Sequence, residues 1–248
     1  MTHSYMETEI CYKLLGNGEK LAVFLHGWGS GSDLILPLAQ NLATISNLTC
    51  LLIDFPPFGN SENPKTTWNL ENYAELTTQI IKKVTEGKKF ESLNLIGHSF
   101  GGRICILLAS KGLIPADKIV LLASAGIKPR FNLKTKLKIL QYKLYKRFNF
   151  KKAEAMGSED YKNLPCVMKS TFKNIVNSDL CEALDKITQK TLIIFGKNDK
   201  ETPVYMAKKF HKKIKNSKLL ILENAGHFVY LDKMPEVVSN ISFFLNSL

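Results

Sequence analysis

Ser99, Asp199 and His227 are residue types that together can move an acyl group, and each lies just beyond a short apolar run of the chain. Ser99 stands in Gly97-His98-Ser99-Phe100-Gly101, directly after the run 93–96 and directly before a helical pattern that begins near Gly102. Small residues on both sides allow a strand-to-helix turn tight enough to hold a serine hydroxyl clear of a sheet. That hydroxyl is a weak nucleophile at neutral pH and needs a base, which in turn needs an acid to orient it. Asp199 follows the run 192–195 in Gly196-Lys197-Asn198-Asp199, and His227 follows 219–222 in Ala225-Gly226-His227. Serine, acid and histidine therefore occur in the chain order that a strand-turn-helix serine requires. All three would emerge at the carboxyl edge of a parallel sheet, where open α/β sheets bind ligands. Singly, Asp199 could be a helix cap and His227 a packed loop residue. Glu201 and Asp185 are reserve acids, but neither directly follows a strand. His98 is expected to point elsewhere, His211 lies in a lysine-rich helix and His3 is near the terminus, which leaves His227 as the base.

Acyl transfer also needs donors aimed at the developing oxyanion, each worth roughly 3 kcal/mol when preorganised. The backbone N–H after the nucleophile, that of Phe100, is one candidate. The other is Trp28, in His26-Gly27-Trp28-Gly29 after the run 21–25. A glycine-rich turn with Trp28 packed on the core is the plainer reading, and the two coexist because the donor is backbone. Other chemistries lack their signatures: no Gly-Lys-Ser/Thr phosphate loop, no H-E-x-x-H, and no G-x-G-x-x-G after a strand. No cofactor and no metal are expected.

The elements that must position these groups alternate. Apolar runs at 21–25, 51–53, 93–96, 119–122, 192–195 and 219–222 are short and continuous, as buried parallel strands are. Between them 72–84, 102–110, 203–214 and 235–245 read as helices, with Pro203 and Pro235 suited to first-turn positions. The alternation predicts an α/β fold with a mostly parallel twisted sheet of about eight strands flanked by helices. Residues 9–15 and the turn Gly16-Asn17-Gly18 read as a hairpin that enters the sheet antiparallel. From 127 to about 185 there is no strand candidate. The chain thus divides into a core of residues 1–126 and 186–248 and a helical cap of residues 127–185, inserted after the sixth strand. Within the cap, Leu133, Leu137, Leu140, Leu144 and Phe148 repeat at helical spacing, and ten cations lie between Lys128 and Lys152 with no acid among them.

The 248 residues are 45% apolar and 23% charged, which suits a single domain with a sizeable core and excludes a disordered chain. Five cysteines without C-x-x-C spacing indicate neither a disulfide framework nor a zinc ribbon, and a reducing cytoplasm fits them. No apolar stretch approaches the roughly 20 residues needed to span a bilayer, and no export signal is visible. The net charge of +12 would suit an anionic partner, although lysine and asparagine enrichment of this kind also follows from codon bias. The basic amphipathic segment could lie on an anionic membrane or pack over the site as a lid, and the second is favoured. Nucleic acid is not expected, because no reader motif accompanies the charge.

The chain resembles the α/β-hydrolase fold superfamily, in the broad group with a helical cap between the sixth and seventh strands. The likeness covers essentially the whole chain. It rests on His26-Gly27-Trp28-Gly29, on Gly97 to Gly101, on Asp199 and His227, and on Asp54-Phe55-Pro56-Pro57-Phe58-Gly59-Asn60-Ser61, similar to the family's D-x-P-G-x-G-x-S turn apart from Pro57. The resemblance implies a triad of Ser99, Asp199 and His227 with oxyanion donors at Trp28 and Phe100. It also implies a carboxylic ester or thioester as small-molecule substrate. Serine at position 99 argues against dehalogenation and epoxide hydrolysis, which relatives perform with aspartate there. The capped esterases that cut pimeloyl-carrier-protein methyl ester share the H-G-W-G loop, which adds an acidic acyl carrier protein docking on the basic cap as an expected partner. A carbon–carbon bond hydrolase of the same fold, or a non-catalytic binding protein using its basic cap, are the alternatives.

Overall fold

The computed structural model describes residues 1–128 and 164–247. Among these, eight strands form one sheet: β1 Thr2–Tyr5, β2 Thr8–Leu15, β3 Lys20–Leu25, β4 Leu48–Ile53, β5 Ser92–His98, β6 Lys118–Leu122, β7 Lys190–Gly196 and β8 Ser217–Leu222. Their order is β1-β2-β4-β3-β5-β6-β7-β8. From β4 to β8 all pairs are parallel, and only β1–β2 and β2–β4 are antiparallel. The helices are α1 Ser32–Ser46, α2 Leu70–Thr85, α3 Phe100–Ser110, α4 Cys166–Asn177, α5 Val204–Lys213, α6 Val229–Asp232 and α7 Met234–Asn246, with a 3-10 turn at Ala183–Lys186.

Both faces of the sheet are covered, which is why its central strands read as continuous apolar runs rather than alternating ones. Ala22 and Phe24 of β3 face α1 and α7 through Ile35, Leu38, Ile241 and Phe244. Leu21, Val23 and Leu25 of the same strand face the layer of α2, α3 and α5. Each helix contributes an apolar stripe, as with Tyr73, Leu76, Ile80 and Val84 of α2, whose start is fixed by a reciprocal cap between Asn69 and Asn72. Among the described residues no helix is long and apolar enough to cross a membrane.

The fold class and helix positions agree with the sequence, and two features depart from it. The hairpin lies one strand earlier than the Gly16-Asn17-Gly18 turn indicated. β2 pairs with β4 (Tyr12 opposite Ile53), so β4 separates it from β3, and the tight turn joins β1 to β2 through Met6 and Glu7 at φ 47 and 55. Two left-handed residues in succession give the twist a two-residue hairpin needs, but Met and Glu do not announce it as Asn-Gly would. The helix α1 was also unmarked, since Pro37 lies inside it. Of the basic cap helix, Leu133 to Phe148 and every cation except Lys128 fall outside the described residues, whereas α4 is the described helix of that insertion.

Parallel register brings the carboxyl ends of the central strands to one edge. Leu25 is level with Gly97, His98 with Leu122, and Gly196 with Leu222. The loops that leave these ends carry Trp28, Ser99, Asp199, Glu201 and His227, whereas Asp185 precedes β7.

Candidate active site

Ser99 sits between the end of β5 and the first residue of α3 with φ 50 and ψ −108, a backbone conformation that an L-residue holds only under strain. The surrounding chain fixes it there. Ser99 N–H donates to Leu122 O (3.0 Å), Gly101 N–H to His26 O (3.0 Å) and Ala125 N–H to Ser99 O (3.0 Å). The turn closes so tightly that a Cβ on Gly101 would stand 2.0 Å from Leu25 O. This is the close approach that demands glycine there.

Asp199 and His227 meet. The carboxylate Oδ2 lies 2.9 Å from His227 Nδ1, with the Asp199 side chain fully buried and that of His227 9% exposed. Asp199 is saturated with donors: Glu201 N–H and Thr202 N–H each reach Oδ1 at 2.8 Å, and Thr202 Oγ1 donates to Oδ2 at 2.7 Å. Burial alone would raise its pKa, but the hydrogen bonds from His227 and Thr202 outweigh that and hold it below the ordinary carboxylate value. An ionised carboxylate only accepts, so Nδ1 of His227 carries the proton toward Asp199 and Nε2 is the nitrogen that remains to act as a base once Glu201 is away from it. The two loops are stitched together as well, through Lys197 N–H to Leu222 O (2.9 Å) and Asn198 N–H to Ala225 O (2.9 Å). Thr202 was not read from the sequence. Its signal, a hydroxyl three residues after a loop aspartate, is indistinguishable from an ordinary turn.

The other candidates fall differently. Asp185, within the 3-10 turn, pairs with Lys213 and takes no part. Glu201 does reach the histidine, but at the opposite nitrogen: its Oε2 lies 3.3 Å from His227 Nε2, with the side chain 69% exposed. Among the described residues no hydrogen bond joins Ser99 Oγ to His227, and in unliganded sites such contacts are often long. His98 does not point away. It is buried, its ring lies 4.9 Å from that of His227, and its Nε2 donates to His227 O at 3.0 Å. Burial pushes its pKa down to about 3, so it is a neutral strut beneath the base. A Cβ on Gly27 would stand 2.8 Å from His98 Nδ1, which is why the loop after β3 has no side chain at that point.

That loop is held from below by His26, whose Nδ1 is 2.7 Å from Gly27 O and whose Nε2 accepts from Phe55 N–H at 2.8 Å. Asp54 in turn accepts from Ser32 N–H (2.6 Å) and Asn60 N–H (3.1 Å), so the 54–61 turn organises backbone rather than chemistry. The Trp28 indole packs edge-on against Phe58 and Phe100 and tilted against Phe172, leaving its backbone N–H separate from that role. Phe100 N–H belongs to the first turn of α3, whose leading donors have no intrahelical acceptor. Above Ser99 and His227 opens a cavity of about 360 Å³, walled by Trp28, Phe172, Ile175, Val176 and Phe228. The arrangement places a hydroxyl on a strained turn, an oriented imidazole and an apolar wall around one space.

This sheet order and this strand-turn-helix serine define the α/β-hydrolase class. The model of the alpha/beta hydrolase fold family matches residues 21–154, and that of the TAP-like protein family matches 155–247. The chain belongs to the alpha/beta hydrolase fold family and is a hydrolase of that fold. It is 28% identical to a proline iminopeptidase of Saccharolobus solfataricus, over 96% of this chain and 88% of that one. It is 21% identical to a pimeloyl-[acyl-carrier protein] methyl ester esterase of Aliivibrio salmonicida, over 97% of both chains. Among solved structures, an esterase from Exiguobacterium antarcticum superposes with a TM-score of 0.75 at 22% identity, over 97% of this chain and 96% of that one.

Proposed function

We propose that the protein is a serine hydrolase that cleaves a carboxylic ester or thioester through an acyl-enzyme on Ser99. The observation that carries this reading is the 2.9 Å bond that His227 Nδ1 makes to buried Asp199, which leaves Nε2 as the ring nitrogen available to the cavity that Ser99 lines. Ser99 Oγ attacks the acyl carbon as its proton passes to His227 Nε2. The tetrahedral oxyanion is received by the backbone N–H groups of Phe100 and Trp28. His227 then returns the proton to the departing alcohol or thiol, and water repeats the attack on acyl-Ser99 to release the acid. Glu201 must leave Nε2 for this to occur, and its exposed side chain is free to swing into water.

An ester or thioester is favoured because the cavity wall of Trp28, Phe172, Ile175 and Val176 suits an acyl chain. The relatives bear peptidase and esterase names, so likeness alone does not choose the bond. A thioester carried by an acidic protein would meet the cations between Lys128 and Lys152 as part of a cap formed by residues 127–185.

Intact mass after treatment with a fluorophosphonate tests the nucleophile without assuming a substrate. Wild type is expected to gain one adduct and Ser99→Ala none. An unlabelled wild type, or equal labelling of both, defeats the reading. Turnover of a short ester and thioester panel, with a vinylogous 1,5-diketone as the carbon–carbon comparison, then assigns the bond.

A further inference from the structure

Arg103 lies one helical turn after Ser99 on α3, about 6 Å further along the axis, and an arginine on a helix leans back toward the N-terminus. It is 7% exposed and lines the cavity above Ser99. Among the described residues its guanidinium makes one hydrogen bond, Nη1 to Ser178 O at 2.8 Å, and no ion pair. Asp179 acts on it through space without reaching ion-pair distance. A guanidinium has five donors in a planar fork, and burying it without an anion is unfavourable. Lysine fills almost every other basic position of this chain, with only Arg103, Arg130 and Arg147 as exceptions. A buried lysine would shed its proton, whereas an arginine keeps its charge and presents a fork matched to a carboxylate.

Arg103 is also shared with a second lobe of about 310 Å³, whose walls include Ile127, Val176 and Met206 and whose rim carries the exposed Lys128. Among the described residues Glu201 is the one acid common to both lobes, and it is directed at His227. The cavity therefore runs from the nucleophile, along apolar side chains, past a buried cation short of partners.

We infer that Arg103 is a specificity residue that binds a carboxylate at the far end of the acyl chain, so that the enzyme prefers half-esters of short dicarboxylic acids to neutral esters of the same length. This rests on the serine-hydrolase reading for its chemistry, and the carboxylate site can be read without it.

The experiment compares kcat/KM for monoethyl succinate, glutarate and adipate with ethyl butanoate, pentanoate and hexanoate. Wild type should favour at least one half-ester over its neutral counterpart by about tenfold or more, and Arg103→Gln should bring that ratio close to one. Arg103→Lys, which keeps the charge without the fork, should fall between. Because Arg103 also holds Ser178 O, a variant could fail to fold, so the wild type is tested too: the free diacid should slow fluorophosphonate labelling of Ser99, and hexanoate at equal concentration should not. Equal turnover of half-ester and neutral ester by a labelled wild type, or a diacid that does not compete, overturns the carboxylate site and leaves the hydrolase reading standing. If Ser99 is not labelled, the hydrolase reading fails and calorimetric titration of adipate against hexanoate decides the site alone. Heat with adipate only, lost in Arg103→Gln, supports it, and no heat with adipate overturns it.

Discussion

At the residue scale, Asp199 does two things that call for separate variants. Its charge fixes the Nδ1 tautomer of His227, so Asp199→Asn is expected to lower kcat by about 10⁴ while the protein remains folded, measured on any ester that wild type turns over. Its position depends on Thr202, whose Oγ1 and N–H both bind the carboxylate. Thr202→Val removes the hydroxyl bond and should lower kcat by about tenfold, in keeping with one lost bond to a charged group. Ser99, Asp199 and His227 were legible in the sequence because each directly follows an apolar run, which fixes the edge of the sheet where it appears. Thr202, His98 and the Glu201 contact were not legible. They act through distances between loops that lie far apart in sequence, and a residue type alone carries no such distance.

At the element scale, α4 is tied to the core at Trp68. Trp68 N–H donates to Thr171 Oγ1 at 2.9 Å, and Asn174 Nδ2 donates to Trp68 O at 3.3 Å, with Trp68 and Thr171 both wholly buried. From α4 come Phe172, Ile175 and Val176 of the cavity wall. Thr171→Val leaves a buried N–H without an acceptor and is expected to cost about 1–3 kcal/mol. The checks are a lower melting temperature and a raised KM with kcat less affected, since α4 shapes binding more than chemistry. The parallel strands were legible from continuous apolar runs, and the helices from their period. The β1–β2 hairpin was not, because its turn uses Met6 and Glu7, and neither was the tie between Trp68 and Thr171, which joins positions about a hundred residues apart.

For the molecule as a whole, the buried histidines set how stability follows pH. His98 has its pKa pushed from 6.5 to about 3 by burial, and burial lowers that of His26 as well. Asp199, His227 and His26 face His98, and none reverses the direction. Unfolded, His98 binds a proton below pH 6.5, whereas folded it does not until about pH 3, and His26 shifts in the same direction, so stability falls as pH drops below 6.5. The contribution of His98 is up to about 1.4 kcal/mol for each pH unit. His98→Gln should therefore flatten the decline of melting temperature between pH 7 and pH 5 relative to wild type, and an unchanged slope would show that His98 is protonated when folded. Asp199 acts in the same direction at lower pH, since its lowered value makes it stabilising above its unfolded pKa of 3.8 and progressively less so as pH falls through the folded value.

The left-handed backbone at Ser99 separates what keeps this chain folded from what it was selected to do. At φ 50 a glycine would rest without strain, so Ser99→Gly should be more stable than Ser99→Ala by about 1 kcal/mol, which denaturation of the pair can read. Mutation under selection for folding alone would drift toward glycine at this position. A serine where glycine would fold better answers a demand other than stability, and the strained backbone marks the place in the chain where that demand falls.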